Sequence, residues 1–323
     1  MSLHAANTLS LVADVGGTNT RVALAEGNTL MPDTVRKFPN AEYPGLESVI
    51  RTYIDDEGGV DCRGAAVAIA GPVRDGRGTL TNLDWSFDRE TLARITRAET
   101  VAVLNDLQAQ GFAVGHIAEA NLNTIVPGSA APEHATKLVI GVGTGFNIAP
   151  VFDTDMGRHV PPSEAGHANM PLRTEEELRL CQFVETAHGF PSVEDVLSGR
   201  GLEHIYAWRC TEREAPAERR AAEIMSSCTA GDDPAATEAV QWFVRILGTV
   251  AGNLSLIHLP FGGVFLIGGV ARAMTPYLLD FGFAESFRDK GRFAGFMQNF
   301  GVSVVEDDFA ALTGLAAHLA PKV

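Results

Sequence analysis

Cysteine is scarce in this chain. Its 323 residues include only Cys62, Cys181, Cys210 and Cys228, none in a Cys-x-x-Cys pair and none spaced like a zinc knuckle. That excludes a disulfide framework and reads as reduced thiols in a cytoplasmic protein. Positive charge is in deficit as well. The formal net charge of -15 repels phosphate backbones and anionic lipid, so neither nucleic acid nor a membrane surface is expected as a partner. No Gly-x-x-x-x-Gly-Lys-Ser/Thr string occurs, which excludes a P-loop, and His-Glu-x-x-His is absent. Residues 1–10 carry no basic and apolar leader. The most apolar stretch, 254–270, is broken by His258, Pro260 and four glycines, so it reads as a helix end followed by a buried strand rather than a membrane span.

What is present is ample material for a core: 46% hydrophobic residues against 20% charged, over a length comfortable for two lobes. The chain repeats one design. Residues 9–25 are an apolar run, a glycine turn and a second β-rich run, and residues 138–152 do the same around Gly141–Gly145. A buried strand ending in glycine follows each, at 65–71 and at 264–269. A strand, an acidic residue and a small-residue helix then follow at 101–114 and at 302–319. Strands alternating with helices give an α/β class, and the duplication gives two lobes with a ligand cleft between them. The expected division is 1–106 plus 308–323 as a small lobe and 107–307 as a large one. A polar, helical insertion is expected near 174–241, and the last helix is expected to cross back to the first lobe.

In Asp14-Val15-Gly16-Gly17-Thr18-Asn19 two adjacent glycines let the backbone approach an anion with N–H groups aimed at it. Thr18 and Asn19 add donors, and Asp14 suits a magnesium ion held through water. An acidic protein can bind a nucleotide this way, without bulk positive charge. Gly143-Thr144-Gly145 offers a second such hairpin. It is not a dinucleotide fingerprint, because Phe146 stands at the sixth position and a strand follows. Asp106, at a strand end before a helix, is either an N-cap or a general base. Glu164-Ala165-Gly166-His167 and Glu194 suit hydrogen bonding to vicinal hydroxyls, or are structural. Two carboxylates would also serve a glycosidase, but that chemistry needs no pair of glycine hairpins.

Taken together and in this order, these strings resemble the bacterial glucokinase family of the type without a zinc-binding cysteine cluster. The resemblance runs through nearly the whole chain. Thr81-Asn82-Leu83-Asp84-Trp85 looks like that family's segment near the sugar, Phe261–Gly269 is similar to its nucleotide-side strand and turn, and Asp289-Lys290-Gly291-Arg292-Phe293 is typical of it. The resemblance implies a duplicated actin/hexokinase-like, ribonuclease H-like fold. It implies ATP-dependent phosphorylation of glucose to glucose 6-phosphate at the head of glycolysis, with ATP and Mg²⁺, no zinc, and a homodimer. It assigns Asp106 as the base and Asn82, Asn105, Glu164, His167 and Glu194 to the sugar. Ala13, Asp14, Val15, Gly16, Gly17, Thr18, Asn19, Gly143, Thr144, Gly145, Gly268 and Gly269 go to ATP. The alternatives are a kinase for another hexose or amino sugar, and a non-catalytic sugar sensor. A DNA-reading element ahead of the first hairpin would mark a sensor, and the strand already starts near Leu9. Three positions depart from the family pattern: Phe146 and Asn147 stand where the second hairpin usually has Leu-Gly, and Ala165 stands where glycine is usual. Asparagine tolerates a left-handed conformation, so the turn can survive, and the Ala165 methyl bears on the strictness of glucose preference.

Overall fold

A computed structural model describes residues 8–80, 83–215 and 217–323. The chain forms two compact units. The first comprises the residues up to Ala118 together with Asp307–Val323, and the second is Glu119–Glu306.

The first unit is built on β1 (Leu9–Val15), β2 (Asn19–Glu26), β3 (Thr29–Leu30), β4 (Arg36–Pro39), β5 (Gly64–Ile69) and β9 (Thr100–Asn105). They form one sheet of order β3-β2-β1-β5-β9, with β4 also paired to β2. A small three-stranded sheet joins β6 (Val73–Arg74), β7 (Arg77–Thr79) and β8 (Ser86–Asp88). The β1–β2 hairpin is antiparallel, while β1, β5 and β9 are parallel. Every residue of β5 is buried, as expected of a parallel strand covered on both faces. Leu11, Ala13, Val15, Val67 and Ile69 pack with α1 (Leu46–Asp56) and α2 (Arg89–Thr96) through Val49, Ile50, Tyr53 and Leu92. A C-terminal helix, Ala310–Leu319, packs on α3 (Asp106–Ala113) and on β1 and β5. The two helices meet at Gly314, where a Cβ would lie 1.8 Å from the carbonyl oxygen of Ala109, so only glycine permits the approach. Because α3 packs this way, the first unit continues past residue 106 to Ala118.

The second unit repeats the pattern. Its strands are β10 (Leu122–Val126), β11 (Lys137–Val142), β12 (Phe146–Thr154), β13 (Gly157–His159), β14 (Val264–Ile267) and β15 (Val302–Val305), in the order β10-β15-β14-β11-β12-β13. Again a hairpin, β11–β12, is followed by two strands parallel to its first arm, β14 and β15. The polar helical region comprises α4 (Glu175–His188), α5 (Gly199–Glu212), α6 (Ala221–Ala230) and α7 (Pro234–His258). It runs past 241, because the apolar stripe of α7 continues through Phe243, Leu247, Ala251 and Leu254 into the core. Leu180, Val196, Ile205 and Trp208 enter the same core as the sheet residues Leu138, Ile140 and Leu266, so these helices build the unit rather than decorate it. α7 is long and apolar enough to cross a membrane by length and composition, but 61% of that stretch is buried inside the unit. Two short helices, α8 (Gly269–Met274) and α9 (Phe283–Arg288), complete it.

Candidate active site

Three parallel strands of the first unit end on one edge of the sheet. Register aligns Val15 with Ile69 and Ile69 with Asn105, so Asp14, Gly71 and Asp106 come to the same carboxyl edge. The hairpin after β1 closes with Gly16 N–H donating to the Asn19 carbonyl at 3.0 Å. Gly17 and Thr18 are exposed at its tip. Asn40 anchors this turn from a distance in sequence. It is 3% exposed. Its Nδ2 donates to the Gly16 carbonyl at 2.7 Å, its Oδ1 accepts from Thr20 Oγ1 at 2.8 Å, and its N–H donates to the Thr18 carbonyl at 2.9 Å. A buried amide with all three groups paired is a rigid strut.

Asn105, not Asp106, is the N-cap of α3. Its Oδ1 accepts the Leu107 N–H at 3.0 Å, and Gln108 Oε1 accepts the Asn105 N–H in return, completing a capping box. Asn105 Nδ2 donates to the Gly71 carbonyl at 3.0 Å, which ties β9 to the end of β5. Asp106 is therefore the first helical residue. Loss of water pushes its carboxyl up to about 6. The Asp14 carboxylate adds to that, while the Leu107 N–H opposes it. Asp14 is also raised by burial, with Arg21, 3.7 Å away, pulling it back.

The second unit brings its own group together. Gly143 N–H donates to the Gly145 carbonyl, and Gly199 N–H donates to the Gly143 carbonyl, both at 2.9 Å. Glu194 Oε2 accepts the Phe146 N–H at 2.9 Å and occupies the space where a Gly145 Cβ would be, 2.4 Å away. Its other oxygen lies 3.7 Å from Arg200. Gly268, with φ +109°, approaches the Val142 carbonyl so closely that a Cβ would be 2.4 Å from it. The end of β14 and Gly269 thus lie beside the second glycine hairpin. Glu164 precedes and His167 ends a single 3-10 turn, Ala165–His167, with His167 Nε2 3.9 Å from Glu164 Oε2. Their side chains are 72% and 66% exposed, open to a polar ligand. Asn147 is not left-handed. The turn is complete by Phe146, which already pairs with Val142, so Asn147 sits in β12 opposite Gly141.

A sequence model of the family described as glucokinase matches residues 11–322. The chain belongs to the glucokinase family. It is 34% identical over 310 residues to a glucokinase of Sinorhizobium fredii, covering 95% of this chain and 91% of the relative. It is 32% identical to a glucokinase of Marinobacter nauticus, covering 96% and 97%. A crystal structure of glucokinase from an Antarctic psychrotroph superposes with a TM-score of 0.89 at 29% identity, over 98% of this chain and 100% of that one. The glucokinase-like architecture is the actin/hexokinase-like fold, and the duplicated hairpin-plus-parallel-strand sheets are its two halves.

Within this glucokinase framework the sequence-predicted residues fall into two local groups. Asp14, the first glycine turn, Asn105 and Asp106 share one sheet edge; Gly143–Gly145, Glu164, His167, Glu194 and Gly268–Gly269 share the second unit. Asn82 lies outside the described residues. Sequence reasoning missed Asn40, whose only local signal is an asparagine after Pro39 at the end of β4. Among the described residues no group of three or more His, Cys, Asp or Glu forms a metal cage. Magnesium does not need one. It is held by one or two carboxylates together with phosphate oxygens, and a water-deprived Asp14 beside a phosphate-type turn fits that donor set.

Proposed function

We propose that this chain transfers the γ-phosphoryl group of ATP to the 6-hydroxyl of D-glucose. The observation that carries the mechanism is Asp106, a carboxyl pushed to about 6 that shares the Leu107 N–H with the N-cap Asn105 and so is not the sole cap of α3. A base with that value is mostly ionised at neutral pH yet basic enough to accept a hydroxyl proton in the transition state. As the O6–phosphorus bond forms and the bond to the ADP oxygen breaks, the O6 proton passes to Asp106.

The first unit supplies Ala13–Asn19 to the phosphates, with Asn40 holding the turn in shape. Asn105 uses its remaining amide capacity on the sugar, with Asn82 assigned beside it. The second unit supplies Gly143–Gly145, Gly268 and Gly269 to the nucleotide. Glu164, His167 and Glu194 go to the ring hydroxyls, fixing the acceptor oxygen in line with phosphorus. Asp14 would hold the magnesium that accompanies ATP, and the ion would supply neutralisation of phosphoryl charge. We further infer a cytoplasmic homodimer from family membership; sedimentation of the purified protein tests the dimer.

The test is a coupled assay with ATP and Mg²⁺ on glucose, run beside mannose, fructose and N-acetylglucosamine. Turnover favouring glucose supports the reading. Preference for another sugar replaces the substrate, and absence of turnover on all four removes the activity.

A further inference from the structure

Two of the positions where this chain departs from the family pattern, Asn147 and Ala165, touch each other. Asn147 Oδ1 accepts the Ala165 N–H at 3.1 Å and the Ile148 N–H at 2.8 Å. Two backbone donors on one side fix the amide orientation, because only the oxygen can accept them. The Nδ2 end must then face the other way. There it donates to the Ser163 carbonyl and to Glu164 Oε2, the latter at 3.3 Å. The amide is saturated, with two bonds accepted and two donated. Ser163 Oγ accepts the same Ala165 N–H at 3.2 Å, bracing the segment further.

Glu164 is an exposed side chain with three rotatable bonds, and such a side chain loses rotamer freedom when it binds a ligand. Here the loss is met before any ligand arrives. Asn147 Nδ2 and His167 Nε2 both approach Oε2, at 3.3 and 3.9 Å, which leaves the acceptor capacity of Oε1 for a hydroxyl. We propose that Asn147 is a positioning residue that presets the Glu164 carboxylate for the sugar and so tunes sugar affinity separately from ATP affinity. This rests on the reading of Glu164 as a sugar ligand. A glycine at 147 has no side chain with which to do it, and an Ala165 N–H without Asn147 would lose one of its two acceptors.

The experiment compares the wild-type enzyme with Asn147→Asp and Asn147→Ala, measuring KM for glucose, KM for ATP, kcat and Tm. Asn147→Asp keeps an oxygen for Ile148 and Ala165 but sets a second oxygen against Glu164 and the Ser163 carbonyl. Like charges at that distance repel, so the glucose KM should rise about tenfold or more, with the ATP KM within about twofold. Asn147→Ala, which removes the grip without adding repulsion, should raise the glucose KM less, about threefold to tenfold. A purely structural role predicts the reverse order, because Ala loses the backbone acceptor that Asp retains. That reverse order, or ATP and glucose KM rising together, overturns the proposal. If Asn147→Asp does not fold, Asn147→Ala decides alone: an unmoved glucose KM overturns it, and a selective rise supports it. Wild-type protein with no turnover on any hexose overturns the proposed function and this inference with it. A wild-type glucose kinase whose glucose KM is unmoved by either substitution overturns only the role of Asn147.

Discussion

Asp14 and Asp106 stand at the carboxyl edge of the same parallel strands, and the Asp14 carboxylate makes ionisation of Asp106 costlier. Register puts them there, since Val15, Ile69 and Asn105 are aligned across three parallel strands.

The acid limb of the pH profile follows from that relationship. Asp106 acts as a base only when ionised, and its value lies at about 6. The kcat/KM for glucose should be level above neutrality and fall about tenfold per pH unit below that value. A profile still level at pH 5 would remove Asp106 as the titrating base.

Stability should run the opposite way at this residue. Its folded value is raised above the ordinary 3.8 to about 6, so the folded state binds the proton more tightly than the unfolded state. The contribution is fully present below the unfolded value and is lost as pH rises through about 6. Asp106→Asn should therefore unfold later than wild type at pH 7.5, by on the order of 2 kcal/mol, with the gain shrinking toward pH 4. Urea titrations at the two pH values measure it. Activity should be lost in the same variant, the usual conflict between a strained site and stability.

Asp106→Ala separates base from cap. Asn105 carries the capping box, so α3 should remain intact. Turnover should fall by about 10²- to 10⁴-fold while calorimetric glucose binding survives. Near-normal turnover would leave Asp106 as an ordinary first-turn acid.

Asn40→Ala tests the strut beneath the first hairpin. It removes partners from the Thr20 hydroxyl and the Gly16 carbonyl. The expected loss is about 1–3 kcal/mol for buried groups left unpaired. The ATP KM should rise with little change in the glucose KM. Equal changes in both would argue for general loosening of the fold.

Gly145→Ala places a methyl where the Glu194 carboxylate now rests. Glu194 must move and release the Phe146 N–H. The predicted cost is about 1–3 kcal/mol, and it should be smaller in a Glu194→Ala background, where the clash is gone. A double-mutant cycle on Tm measures that coupling.

The sequence disclosed what depends on near neighbours. Glycine turns flanked by β-branched runs located both hairpins, and the strand–Asp–helix order located Asp106. It disclosed less where distant residues decide. Asn40 meets Gly16 and Thr20 only after β4 folds onto β2, so no short window around Asn40 shows its partners. Asn147 was legible as a departure but not as an extended residue. Its conformation depends on where the turn closes, and Phe146 already pairs with Val142, which leaves Asn147 extended opposite Gly141. Residues 174–241 looked like a polar addition because they are rich in Glu, Arg and Ala; the buried faces of their helices become apparent only when assembled into one core.

The C-terminal helix packs on α3 at Gly314, yet the whole of Glu119–Glu306 lies between that helix and the rest of its unit. On the ribosome, β1, β2 and β5 therefore emerge long before the helix that packs on them. The second unit, a continuous segment, can fold while the first waits with apolar sheet surface exposed. Chain order makes the Asp14–Asn19 hairpin emerge well before the helix that packs on its sheet, so interrupted translation would leave an aggregation-prone species.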